Sequence, residues 1–94
     1  MNDIENVWNR VVQNSGKIEL KTKRGRRLKY RVDGNVVHWI GLEPTMNNLF
    51  PQSKENIIAC FDARRNSLTP SMYPGTAPSY KWALLNHPMI WIEY

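Results

Sequence analysis

The side chains in this sequence that could act as a nucleophile and its base are few and far apart. Cys60 is the only cysteine, and the two histidines are His38 and His87. A thiol becomes a strong nucleophile when a base such as histidine takes its proton. Cys60 stands beside Phe61 in an apolar segment, where a free thiol usually packs as a small apolar group. Two isolated histidines also lack the companion ligands of a metal site. We therefore predict no catalytic residues, no cofactor and no metal site.

A second pattern, Glu19-Leu20-Lys21, resembles the E-x-K element of a class of metal-dependent nucleases. Those enzymes hold Mg²⁺ against the scissile phosphate with carboxylates, so a further acid must lie close by. The only acids upstream are Asp3 and Glu5, which belong to a segment with a better structural role. Because three residues match often by chance, we set this nuclease reading aside.

The strongest signal is the basic stretch KIELKTKRGRRLKYRVDG at residues 17–34. Residues 17–31 contain eight of the thirteen Lys and Arg residues and one of the eight acids, a net charge of +7. The remaining residues contain five basic and seven acidic side chains, a net charge of −2. Cations gathered in one element suit phosphate binding more than general solubility. The candidate nucleic-acid-binding residues are Lys21, Lys23, Arg24, Arg26, Arg27, Lys29 and Arg31.

The basic stretch has the alternation of two half-buried strands. Its even-numbered positions are mostly apolar and its odd-numbered positions mostly basic, so one face would pack on a core and the other would carry the charges. We predict a three-residue loop at 24–26, because a two-residue loop would mix the two faces. That loop sets Lys21 against Lys29 and Lys23 against Arg27. Such like-charge pairs oppose strand pairing.

A third strand follows the Asp33-Gly34 dipeptide, which favours a tight hairpin turn. Residues 35–40 form this strand and are largely apolar on both sides. A strand at the edge of an antiparallel sheet seldom has that pattern. We therefore expect a partner strand beyond it, and the apolar segment at 89–94 is the candidate.

Helical patterns occupy the other segments. Residues 3–14 carry one apolar stripe, and Asn2 has the spacing of a cap. Ser53 would begin a helix that runs to about Arg64, and a short helix would span about 79–86. The predicted fold class is α+β: an N-terminal helix, a three-stranded antiparallel meander, two further helices and a possible short C-terminal strand added to the sheet. Residues 1–94 would form a single globular domain.

The sequence also bears on location. Its first residues, MNDIENVW, lack the basic segment followed by an apolar run that marks a signal peptide. No stretch approaches the roughly 20 apolar residues that span a bilayer. We therefore expect a cytoplasmic protein with no membrane partner.

Three functions remain open at this point. The first is a small, non-catalytic protein that binds DNA or RNA by contacting phosphates with the outer face of the 17–32 hairpin. The alternative is a protein-interaction module, an inhibitor or adaptor that binds an acidic protein surface. The third is a small ribonuclease-type toxin, which would share the size and basicity but for which no catalytic set can be named.

Overall fold

The fold is α+β, as predicted. The computed structural model describes residues 2–44, 46 and 49–92. In this part of the chain an N-terminal helix is followed by a four-stranded antiparallel sheet, in the order β1-β2-β3-β4, and then by further helices. The elements are α1 (Ile4–Gln13), β1 (Leu20–Lys21), β2 (Arg27–Asp33), β3 (Val36–Gly41), β4 (Gln52–Ser53), α2 (Lys54–Ile58), α3 (Phe61–Arg65), a 3₁₀ helix (Pro70–Met72) and α4 (Pro78–Leu85).

Helix α1 begins one residue later than predicted, because Asp3 rather than Asn2 caps it. The Asp3 side chain accepts a hydrogen bond from the Asn6 backbone N–H at 2.8 Å. Asn2 instead binds the other end of the chain, where its side chain donates to Ile92 O at 2.6 Å and accepts from the Ile92 N–H at 3.0 Å. The helix buries Val7, Trp8 and Val11.

The first hairpin pairs two residues away from the predicted register. Leu20 lies opposite Leu28, and Lys21 lies opposite Arg27. The predicted pairing of Lys21 with Lys29 is therefore wrong. The predicted pairing of Lys23 with Arg27 is wrong as well, because Lys23 lies in the loop. Because side chains alternate with a period of two, a shift of two residues leaves the side chains of β1 and β2 on the predicted face.

The loop of this hairpin explains the shift. A backbone hydrogen bond of 2.9 Å joins Thr22 N–H to Arg26 O, so the loop is residues 23–25 and not 24–26. Gly25 then takes the last loop position with a φ of 91°. Three-residue hairpin loops place a left-handed residue there, and glycine adopts that conformation without steric cost.

Strand β1 is short because the turn before it already occupies the edge of β2. Gly16 N–H donates to Tyr30 O at 2.8 Å, and the Ser15 hydroxyl accepts from Val32 N–H at 2.8 Å. These β2 groups would otherwise pair with a longer first strand. Ile18 is therefore not paired with β2.

The second hairpin is also displaced by two residues. Asp33 pairs with Val36, so the turn consists of Gly34 and Asn35 rather than Asp33 and Gly34. Gly34 has a φ of 61°, whereas Asn35 has no positive φ. Glycine first in a two-residue loop is the pattern of a type II′ turn, which matches the twist of the strands. Tyr30 consequently lies opposite Trp39.

A strand does lie beyond β3, but the predicted segment does not form it. The fourth strand is β4, in which Ser53 pairs with Val36 and Gln52 with Val37. Residues 88–91 form turns, and Ile90 and Trp91 are buried there. The predicted C-terminal strand is thus wrong for residues 89–92, while 93 and 94 lie outside the described residues.

The predicted second helix is divided. Ser53 caps it as predicted, since its hydroxyl accepts from the Asn56 N–H at 3.2 Å. The helix then breaks at residues 59–60, which separate α2 from α3. None of the helices in the described ranges is long and apolar enough to cross a membrane.

The long linker between α3 and α4 is held by a buried lysine. Lys81 has no exposed surface, and its ammonium group donates to Pro74 O at 2.6 Å. Tyr73 in the same linker is buried, and Thr76 accepts a hydrogen bond from the Gln52 side chain at 3.0 Å. These contacts anchor a segment that has no apolar period of its own.

A hydrogen bond from the Tyr30 hydroxyl group joins the sheet to α1. The hydroxyl group donates to Val11 O at 2.7 Å, and Tyr30 has no exposed surface. Val11 lies in the last turn of α1, where backbone carbonyls have no partner within the helix. Burial raises the pKa of the Tyr30 hydroxyl, so the group stays protonated and remains a donor.

This contact gives the first prediction. Tyr30→Phe should lower the free energy of unfolding by about 1–2 kcal/mol, because a buried carbonyl loses its hydrogen-bond donor. Urea denaturation measures the change. Tyr80→Phe is the matched control, since the Tyr80 hydroxyl has no hydrogen-bond partner among the described residues, and its stability should match the parent's. Equal losses in both variants would contradict the role given to the Tyr30 hydroxyl.

Candidate nucleic-acid interface

Four of the seven predicted residues project from one side of the sheet, which we call the outer face. Leu28 and Tyr30 have no exposed surface, so the alternation of β2 directs their neighbours away from the core. The outer face consists of the cations of β1 and β2, the acid that ends β2 and three β3 residues: Lys21, Arg27, Lys29, Arg31, Asp33, Val36, His38 and Ile40.

The cross-strand neighbours on this face differ from those predicted. Lys21 lies opposite Arg27, so one like-charge pair is present, but its members are not those predicted. Lys29 lies opposite Ile40, and Arg31 lies opposite His38. The basic side chains of β2 thus border an apolar and a histidine side chain on β3.

Besides Asp33, which lies opposite Val36, one further acid reaches the outer face. A Glu43 carboxylate oxygen lies 3.2 Å from the Arg27 guanidinium and also accepts from the Arg27 backbone N–H at 3.4 Å. The hydrogen bond from the Arg27 side chain is the main reason that the pKa of Glu43 is lowered. Within the described part of the chain Lys21, Lys29 and Arg31 form no ion pair. With four cations and two acids, the outer face therefore keeps a net positive charge.

The other three predicted residues point elsewhere. Lys23 and Arg24 lie in the hairpin loop, and Arg26 follows it at an even-numbered position. All three are exposed, and all three line a cleft on the opposite side of the sheet. The structure thus divides the predicted set between the outer face and this second surface.

We call this second surface the cleft. It has a volume of about 700 Å³ and lies between the hairpin loop and the first residues of α4. Besides the three cations its lining includes Phe50, Ser79 and Tyr80. The ring of Tyr80 packs against Trp39 with their centroids 5.9 Å apart, which ties this wall to the sheet.

Two aromatic residues of the cleft were missed by the sequence reasoning. Phe50 is 69% exposed, and Tyr80 is half-buried. Phe50 lies in a segment with no hydrophobic period and immediately precedes Pro51. The sequence therefore indicates only weakly that its side chain is exposed. Tyr80 falls in a predicted helix whose exposed side could not be assigned.

Within the described residues, neither histidine forms a hydrogen bond with the Cys60 thiol. Cys60 is fully buried, as expected of a core thiol, and its Sγ lies 3.5 Å from Asn56 O. Burial raises the pKa of this thiol. The His87 Nδ1 accepts from the Met89 N–H at 3.0 Å, and desolvation lowers the pKa of His87. Across the described ranges no three His, Cys, Asp or Glu side chains are grouped closely enough to hold a metal ion.

Comparison of the chain with protein-family models, with curated proteins and with solved structures finds no match. The geometry of the outer face and of the cleft is therefore the basis for a functional assignment.

The Arg27–Glu43 contact gives a second prediction. Glu43 has a lowered pKa in the fold, so the stability it contributes is present above its unfolded-state pKa and is lost as the pH falls through the folded pKa. Arg27→Gln should raise the Glu43 pKa towards the ordinary value of about 4.3. An NMR titration of the Glu43 carboxyl group measures this change.

The matched control is Lys21→Gln, which removes the same charge from the outer face without touching Glu43. It should leave the pKa of Glu43 close to the parent value. Equal shifts in the two variants would show that the pKa responds to the general field of the face and not to the Arg27 contact.

Proposed function

We propose that this protein is a small, non-catalytic nucleic-acid-binding protein that contacts phosphates with the outer face. One observation carries the proposal. Arg27, Lys29 and Arg31 follow one another along an ordered strand, Lys21 stands beside them, and of these four only Arg27 is paired with an acid among the described residues. Cations held in this way neutralise phosphates and release the counterions of the nucleic acid.

The spacing along β2 supports contact with a phosphate backbone. Successive residues on one side of a strand lie about 7 Å apart, so the three cations of β2 form a line about 13 Å long. They are positioned by the sheet and not by a mobile tail. The cations therefore lose little backbone freedom when a ligand binds.

The outer face is suited to backbone contact more than to base recognition. Tyr30 and Trp39 are buried on the other side of the sheet, so neither ring can stack on a base from this face. Contacts to phosphates position a protein on nucleic acid but carry no sequence information. The proposal therefore predicts little sequence preference. It fits the cytoplasmic location expected from the sequence, which stays a prediction.

A second candidate function is binding to an acidic protein surface. It is favoured by Ile40, which is 44% exposed directly opposite Lys29. A mixture of apolar and basic side chains is common in protein interfaces, which combine an apolar centre with a polar rim. No comparable observation favours the third predicted function, a small ribonuclease-type toxin.

The proposal predicts a salt-dependent affinity that falls when an outer-face cation is removed. Lys29→Gln should weaken binding to generic duplex DNA and reduce the slope of log K against log salt by about 0.9. Fluorescence anisotropy over a range of salt concentrations measures both. Lys17→Gln is the matched control, because it removes the same charge from the turn before β1, and it should retain the parent slope.

Two results would contradict the proposal. The first is that the parent protein binds neither DNA nor RNA at low salt. The second is an equal loss of affinity in Lys29→Gln and Lys17→Gln, which would show that net charge, and not the outer face, governs binding.

A further inference from the structure

The cleft combines features that the outer face lacks. Phe50 is 69% exposed, the largest value among the exposed large apolar side chains in the described part of the chain. It lines the cleft together with Arg24, Arg26 and Tyr80. The cleft therefore places two aromatic rings and a group of cations around one space.

We propose that the cleft holds one unpaired nucleotide of a single-stranded nucleic acid. Its base stacks on Phe50, and its phosphate is neutralised by Arg24 and Arg26. The inference rests on the proposed function, because it adds a second contact to the same nucleic acid and specifies that the bound nucleotide is single-stranded. It assigns the cations of the hairpin loop a role distinct from that of the outer face.

The exposure of Phe50 is the first argument for this occupant. A large aromatic side chain gains stability from burial, and in this fold Phe50 remains in water. Aromatic rings beside a basic groove are the usual platform for unpaired bases, since every base offers a flat face. Tyr80 lines the same cleft, and its ring packs against Trp39.

The start of α4 is the second argument. Helix α4 has eight residues, and no side chain caps it. Pro78 has no N–H, and the Ser79 N–H has no hydrogen-bond acceptor in the described part of the chain. Backbone N–H groups at the start of a helix bind phosphate oxygens and favour negative charge. Ser79 lines the cleft together with the loop cations.

The shape of the cleft is the third argument. A volume of about 700 Å³ lies within the range of sites that enclose a small ligand. A base paired within a duplex cannot enter such a site unless it leaves the stack, which costs a few kcal/mol. An unpaired nucleotide enters without that cost. The cleft therefore favours single strands, whereas the outer face can bind the backbone of either form.

The test compares three ligands and four variants. The ligands are a labelled oligothymidylate, a duplex of the same length and free thymidine monophosphate. Phe50→Ala removes the stacking platform and should not unfold a protein in which that ring is already exposed. Met89→Ala is the matched control, because Met89 is 53% exposed and lies outside the cleft.

Phe50→Ala should weaken binding of the oligothymidylate by roughly 5- to 100-fold and leave binding of the duplex unchanged. Phe50→Tyr should restore the affinity, since it restores a ring, and Met89→Ala should bind as the parent does. Arg26→Gln should lower the salt slope on the single strand by about 0.7. Free thymidine monophosphate should compete only at concentrations far above the oligonucleotide.

The outcomes separate this inference from the proposed function. If the parent binds duplex and single strand but Phe50→Ala loses nothing, the inference fails and the outer-face proposal stands. If free thymidine monophosphate binds as tightly as the oligonucleotide, the cleft is a small-nucleotide site and the strand assignment fails. If the parent binds no nucleic acid, the proposed function fails and the inference fails with it.

Discussion

The whole arrangement depends on the burial of one side of β2. Leu28 and Tyr30 have no exposed surface, and the Tyr30 hydroxyl is bonded to the end of α1. A slip of one residue would turn Lys29 and Arg31 into the core, where an unpaired charge costs several kcal/mol. The core therefore determines where the cations point. Their concentration on one face is a consequence of packing as much as of composition.

The sequence predicted which side chains share a face but not which residues lie opposite each other. The faces follow from a period of two, and they survive any shift by two residues. The register depends on the loops, in which Gly25 and Gly34 take the left-handed φ values. Both loops begin one residue away from the predicted position, so the pairing of the charged residues was wrong although their exposure was right.

The ends of the sheet were harder to predict because they depend on tertiary contacts. Strand β4 has two residues, and one of them is the buried polar side chain of Gln52. So short a segment has no measurable alternation. The segment that contains Ile90 and Trp91 is apolar for a different reason. Both side chains are buried, but the segment forms a turn and not a strand. A continuous apolar run does not distinguish these cases.

The cleft could not have been predicted from local patterns. Its walls come from the hairpin loop, from Phe50 and from the start of α4, which are distant in the sequence. Their approach depends on the linker before α4, which the buried ammonium group of Lys81 holds through Pro74 O. A lysine in a helical segment is normally predicted to be exposed. The sequence therefore did not indicate that Lys81 is buried.

The proposed binding of nucleic acid depends on the first hairpin and not on the general positive charge of the protein. It is tested most directly by following the backbone amide resonances by NMR while a single-stranded oligonucleotide is added to the intact protein. We expect the largest shifts at residues 21–31 and around Phe50, while basic residues on the helices, such as Lys54 and Arg65, change little. Shifts spread equally over all basic residues, or no shifts at low salt, would contradict the proposal.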